Sequence, residues 1–262
     1  MSLLPTVPRS IGAVLDDAIR LYRKSLPSCL LLTLLAALLI AVPSAIFGLR
    51  AASMATGPAA AMLFLKSPSF WLTMLVVSVV YMGFYNALIL NIHAIASGET
   101  SSLKTALGNG IQRALPTLGL GVVFFLVIMV GFVLLVIPGI YLWGIFQLSF
   151  IALLVEHAGV FESLGISRRL IKGHWWRSAT IMTVAIIIMI VFSLIAGFIA
   201  GITVVVLKTD LIAQMIVQQG VSAIINAFFL SLFPSFLLAM YYDLKLRNEG
   251  DDLAERVAAL KP

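Results

Sequence analysis

The sequence predicts an all-α polytopic membrane protein: six transmembrane helices with three amphipathic interfacial helices, phased as a threefold repeat of elbow and hairpin. Three observations lead there. Hydrophobic residues are 61% of the 262 and charged residues only 11%, against about 25% charged in a soluble domain. Several apolar stretches exceed the roughly 18 residues that argue for a membrane-spanning helix. Finally, one amphipathic pattern recurs just before three of the apolar runs.

The pattern is clearest at residues 10–24. Ile11, Val14, Leu15, Ala18, Ile19 and Tyr22 share one stripe of a helix, and Asp16, Asp17, Arg20, Arg23 and Lys24 fall opposite. A basic polar face backed by an apolar one, attached to a span, is expected to lie in the membrane–water interface. Moved 92 residues on, the stripe lands on Leu103, Ala106, Leu107, Gly110, Ile111 and Ala114; moved 149, on Val160, Ser163, Leu164, Ser167, Arg168 and Ile171. Interfacial helices are therefore expected at about 10–24, 101–114 and 160–172, each leading into two spans, and the whole of 1–262 is read as a single integral membrane domain. Internal repeats of this kind are common in membrane folds.

Span 1 is expected at about 26–49, with Pro27 in its first turn and Pro43 inside it. Span 2, at 70–96, begins near Trp71 and holds the most polar contents of any span: Tyr81, Tyr85, Asn86, Asn91 and His93. Spans 3 (115–137) and 4 (140–156) are separated by Pro138 and Gly139, a breaker pair expected to turn the chain. Span 5 (177–207) is longer than a bilayer requires, and its Gly197 and Gly201 form a small-residue face suited to close helix packing. Span 6 (216–242) contains Asn226 and is interrupted by Pro234. A solvated tail, 243–262, follows.

Six spans put both ends on one side. That side carries fourteen Lys and Arg residues and the other only Arg50, Lys66 and Lys208, an asymmetry that predicts both termini in the cytoplasm. A cleaved signal peptide is not expected, because the first apolar run is long and follows Asp16 and Asp17. The single cysteine, Cys29, allows no internal disulfide.

Little chemistry is on offer. No phosphate loop, nucleophile elbow, paired carboxylates or metal-ligand spacing occurs, so no enzyme, cofactor or metal is expected. Asn86, Asn91, His93, Gln147 and Asn226 are candidates for lining a polar cavity; interhelical hydrogen bonding is the commoner use of such residues. The basic surface is the stronger signal. Arg20, Arg23 and Lys24 in the first amphipathic segment, and Arg168, Arg169 and Lys172 in the third, are candidate lipid-headgroup ligands, each worth about 1 kcal/mol beside an anionic leaflet. The net charge of +6 is accounted for by these loops, so nucleic acid is not an expected partner; anionic lipids, a membrane-protein partner or a second copy are.

Four stretches carry a family resemblance: IGAVLDDAIRLYRKS, PGIYLWGIFQLSFIALLVE, SLGISRRLIKGHWWR and YYDLKLRNEG. In order and spacing the chain resembles the bacterial membrane domain fused to some glycerophosphoryl diester phosphodiesterases, and related stand-alone multi-pass proteins. The resemblance implies an inner-membrane helical bundle. It implies no hydrolase, because the 262 residues contain no counterpart of the phosphodiesterase barrel. Two functional expectations follow: a non-enzymatic protein engaging anionic lipids or a membrane partner through its basic face, or a permease for an apolar or lipid-like solute.

Overall fold

The computed structural model describes residues 3–53, 66–99, 102–207 and 211–259. These form ten helices and no strand: α1 (Ile11–Ser53), α2 (Pro68–Ser97), α3 (Leu103–Gln112), α4 (Ala114–Leu134), α5 (Val136–Phe146), α6 (Ser149–Val155), α7 (Val160–Ile171), α8 (Trp175–Leu207), α9 (Leu211–Phe229) and α10 (Leu232–Ala259). Six stretches are long and apolar enough to cross a membrane: Ile11–Ser44, Pro68–Ser97, Ala114–Leu134, Val136–Val155, Trp175–Ile199 and Ile216–Gly250. The chain is an all-α, multi-pass membrane protein.

The first interfacial helix and the first span are one continuous helix, not an elbow and a span. Val14, Ala18, Leu21, Ser25, Cys29 and Leu32 are buried at steps of three or four residues, so one packed stripe runs straight through the expected joint. That stripe carries α1 against α2, α9 and α10. Pro27 sits mid-helix and exposed, and the Ser25 and Ser28 hydroxyls donate to the carbonyls of Tyr22 (3.1 Å) and Ser25 (2.9 Å). Residues 10–24 thus open α1 without a break, whereas α3 and α7 are discrete helices; the equivalent stripe positions Val14, Ala106 and Ser163, and Ala18, Gly110 and Ser167, are all buried.

The second amphipathic segment does form its own short helix, but α3 folds back along α2 instead of lying flat. Gly110 meets the middle of α2, where an added Cβ would lie 2.6 Å from the Ala87 nitrogen and closer still to the Gly83 carbonyl. Only glycine permits that approach. The Asn86 amide then donates to the Gly110 carbonyl at 3.2 Å and to Thr117 Oγ1 at 3.0 Å, joining α2, α3 and α4. Ser102 caps α3 through the Thr105 N–H (3.2 Å).

Pro138 and Gly139 do not make the turn between spans 3 and 4. The chain reverses at Leu135, and both residues lie in the first turn of α5. The first N–H groups of a helix have no intrahelical acceptor, so a proline there removes nothing. Pro234 occupies the same third position in α10. Gly131 and Gly139 let the hairpin close: a Cβ on the first would lie 2.9 Å from the Cα of the second.

Two spans are broken. Span 4 is interrupted at Gln147 and Leu148, between α5 and α6; span 6 at Leu230 and Ser231, between α9 and α10. Residues 243–259 are not a separate tail, because α10 runs through them and Asp243 and Leu244 are fully buried. On the small-residue face of α8, Gly197 and Gly201 are exposed, and a Cβ on either meets nothing within 4 Å among the described residues.

The core is concentrated toward the end of the bundle that carries the N-terminus. It is built from the first half of α1, the second half of α2, α6, α7, the start of α8 and the first half of α10. A charged lock closes this end. Asp243 Oδ1 accepts the Arg9 N–H (2.8 Å), and Oδ2 accepts from Arg177 (2.8 and 2.9 Å) and from Arg247 (3.1 Å). Both guanidinium groups also donate to the Arg9 carbonyl, so residue 9, α8 and α10 are tied at one point.

Candidate functional site

Beyond that core the helices leave a cavity of about 690 Å³. Its wall comes from Tyr81, Met82, Tyr85 and Ile89 of α2, Phe124 of α4, Trp143 of α5, Phe150 of α6, and Ile186, Met189, Ile190 and Ser193 of α8. The remainder comes from the two broken spans: Gln147 at one break, Phe229 and Leu230 at the other, and Phe233 and Leu237 just beyond it. At the first interruption the backbone stays in the right-handed helical region, with Gln147 at φ −61°, ψ −28° and Leu148 at φ −81°, ψ −6°, so the span is loosened for two residues rather than unwound. Here both interruptions meet the same cavity.

Each break carries a buried polar side chain without a partner. Gln147 is 4% exposed, and neither its amide nitrogen nor its amide oxygen has a hydrogen-bond partner among the described residues. The Ser231 hydroxyl, fully buried beside Leu230, has none either. Ser149, by contrast, donates to the Phe146 carbonyl. A buried amide left unmade costs about 1–3 kcal/mol, so Gln147 is the one lining residue whose placement packing does not explain.

The remaining expected cavity residues divide. Asn86 is buried in the α2–α3–α4 junction described above. Asn91, 3% exposed, donates to Cys29 Sγ (3.4 Å), joining α1 and α2. His93 Nδ1 lies 2.5 Å from the Tyr242 hydroxyl with the two rings stacked, 6.0 Å between centroids. None of these three lines either cavity, and each makes a contact within the bundle, although Asn86 Oδ1 has no partner among the described residues. Asn226 donates to the Ser222 carbonyl in its own helix (2.8 Å) and lines a second, smaller cavity of about 250 Å³ with Ser44 and Gln219. Tyr81 and Leu230 belong to both cavities. No single path therefore gathers Asn86, Gln147 and Asn226.

The basic candidates are all on the surface. Arg20, Arg23 and Lys24 are exposed and edge a shallow concavity with Asp16 and Ile19. Arg168, Arg169 and Lys172 are exposed on α7, which packs on α4, α5, α6 and α10 and not along α1. The two clusters thus stay apart. None of the six forms a salt bridge with a described residue, whereas Arg9, Arg177, Lys245 and Arg247 all do. Beside α7, Glu156 accepts from Lys245 at 3.0 Å and from the Tyr241 hydroxyl. Burial alone would raise its carboxyl, but these two hydrogen bonds and the nearby cations outweigh it and hold it below the usual carboxylate value.

The interruption of span 6 near Pro234 was legible in the sequence, whereas the one at Gln147 and the Asp243 lock were not; Gln147 and Ser149, a polar pair in an apolar run, were the signal for the break in span 4.

A helical bundle with six stretches long and apolar enough to span, two of them interrupted beside one apolar cavity, defines the class: an all-α polytopic membrane protein. Within that class the chain belongs to the family described as Domain of unknown function (DUF7847), which matches residues 84–244, more than half of its length. No curated protein and no solved structure matches it.

Proposed function

We propose that the chain is a non-enzymatic protein of the bacterial inner membrane that takes an amphipathic, lipid-like solute into the cavity beside Gln147, as a carrier or permease. The observation that carries this reading is the convergence of both broken spans on one apolar cavity. Discontinuous helices facing a site at membrane depth are the arrangement by which transporters hold their solutes. Ile187, Ile190, Val191 and Leu194 are exposed on α8; in a membrane that flank faces hydrocarbon, so the cavity rim at Ile190 opens toward lipid. The fourteen-to-three distribution of Lys and Arg supports placing both termini in the cytoplasm. The resemblance to the phosphodiesterase-associated membrane domain agrees with that location.

The test is to fill the cavity. Ser193→Phe combined with Met189→Trp keeps the wall apolar while occupying its volume. Lipid extracted from the purified wild type, but not from this variant, should contain a bound lipid-like component by mass spectrometry. Equal content in both proteins defeats the reading.

A second reading rests on a separate observation, the six exposed cations that form no salt bridge with a described residue. They suit anionic headgroups on the cytoplasmic leaflet. Changing Arg168, Arg169 and Lys172 together to Gln is expected to lower co-purified anionic phospholipid and leave the cavity component unchanged.

A further inference from the structure

We infer that the two cavities form one bipartite site for an amphiphile with an uncharged polyhydroxyl head, its hydrocarbon chain in the larger cavity and its head in the smaller one between α1 and α9. This rests on the cavity-binding reading above and names the chemistry and the orientation of the ligand.

The cavities share Tyr81 of α2 and Leu230 at the break between α9 and α10, so they adjoin. Their walls differ in character. The larger, about 690 Å³, is faced by Phe124, Trp143, Phe150, Phe229 and Phe233 with aliphatic residues between them. Gln147 adds no polar surface to it, because both ends of its amide are buried. The smaller, about 250 Å³, gathers Ser44, Gln219, Ser222 and Asn226 from two helices, at the end of the bundle away from the packed core. A hydrocarbon chain is stabilised by leaving water for the aromatic wall, whereas a hydroxyl placed there would lose its hydrogen bonds. Chain and head therefore have opposite preferences for the two chambers. The larger volume falls within the roughly 300–1,000 Å³ of sites that enclose small ligands.

Charge and hydrogen-bond polarity specify the head. Among the described residues neither wall contains Asp, Glu, Lys, Arg or His, so a carboxylate or phosphate would shed its water without meeting a counter-charge. The nitrogen end of each amide in the smaller cavity already donates within the protein. Gln219 Nε2 donates to Ser44 Oγ at 2.7 Å, and Ser44 Oγ in turn donates to the Ala41 carbonyl at 2.9 Å. Asn226 Nδ2 donates to the Ser222 carbonyl at 2.8 Å. A carbonyl can only accept, and so can a hydroxyl whose hydrogen is spent; these contacts fix which end of each amide is nitrogen. The amide oxygens are left over as acceptors on side chains that stay accessible, Asn226 exposed and Gln219 half-buried. A neutral site rich in free acceptors favours a ligand that donates. Hydroxyl groups donate, whereas carboxylates only accept.

The experiment uses photo-crosslinking lipids of one chain length, with the full-length protein in nanodiscs at pH 8 and cross-links located by peptide mass spectrometry. An alkylglycerol carries its diazirine either at the chain terminus or beside the head. The terminal diazirine should label residues 229–237, and the head-proximal one residues 37–44 and 219–226. The matching fatty acid and alkane, each with a terminal diazirine, should label residues 229–237 about tenfold less, the ratio that two ordinary hydrogen bonds support. Gln219→Leu combined with Asn226→Leu should bring the alkylglycerol down to the level of the alkane. The two diazirine positions are read on the wild type, so they decide the orientation whether or not that variant folds. Chain-end labelling at 229–237 without head-proximal labelling of the smaller cavity overturns the bipartite assignment, as does equal labelling by all three lipids, and either leaves the cavity reading standing. Labelling of neither cavity by any probe overturns both.

Discussion

Asp243 should be the least replaceable charged residue among those described. Its carboxylate is fully buried, while its partners Arg177 and Arg247 keep 17% and 25% of their side chains exposed. In Asp243→Asn the Oδ1 contact with the Arg9 N–H survives. The other oxygen, which accepts from both guanidinium groups at 2.8–3.1 Å, becomes an amide that can only donate toward two donors. Removing one partner of a buried ion pair costs about 3–5 kcal/mol, because the remaining charge is left uncompensated. Glu156 and Lys245, 28% and 38% exposed, are screened by water, and an exposed pair of that kind is worth only about 0.2–1 kcal/mol. Thermal unfolding in one detergent, followed by loss of the monodisperse peak, ranks the two directly. Asp243→Asn should lower stability several-fold more than Glu156→Gln. An Asp243→Asn protein as stable as wild type would refute the reasoning that the lock holds residue 9, α8 and α10 together.

Two further outcomes follow from the geometry. Gly110→Ala must push α3 off α2, since the obstructing atoms are backbone; overpacking of this sort costs about 1–3 kcal/mol, whereas Gly165→Ala, with nothing within 4 Å, should stabilise α7 by roughly 0.5–1 kcal/mol, both read by thermal unfolding. The pH dependence of Glu156 has a definite sign. Its folded carboxyl is held below the ordinary 4.5, so its contribution is full above that value and is lost as pH falls through the lower folded value. The stability gap between wild type and Glu156→Gln should be constant near neutrality and close only in acid; a gap that widens on acidification would contradict the assigned hydrogen bonds.

Several features could be read residue by residue, and the limits of that reading have physical causes. The α7 helix was visible because its buried residues, Ser163, Leu164, Ser167 and Ile171 among them, alternate with charge. That residues 10–24 run without a break into the first span is not legible in the sequence, because the apolar stripe there looks the same whether or not it continues through Pro27 into the bundle. Asn86 and Gln147 look alike in sequence, each a lone amide in an apolar helix. The Asn86 amide nitrogen finds two acceptors because Gly110 lets α3 close on α2 and Thr117 is within reach, whereas neither end of the Gln147 amide finds a partner among the described residues.

By itself the sequence determined the spans and their number, since every backbone group in a bilayer must be satisfied within its own helix and long apolar runs have no other solution. Only the tertiary structure decided which faces meet protein and which meet lipid, where α5 gives way to α6 and α9 to α10, and that Asp243 is an interior residue. The reason is that lipid and protein interior are equally apolar, so hydrophobic periodicity loses in a membrane the contrast that would mark the packed face of a helix.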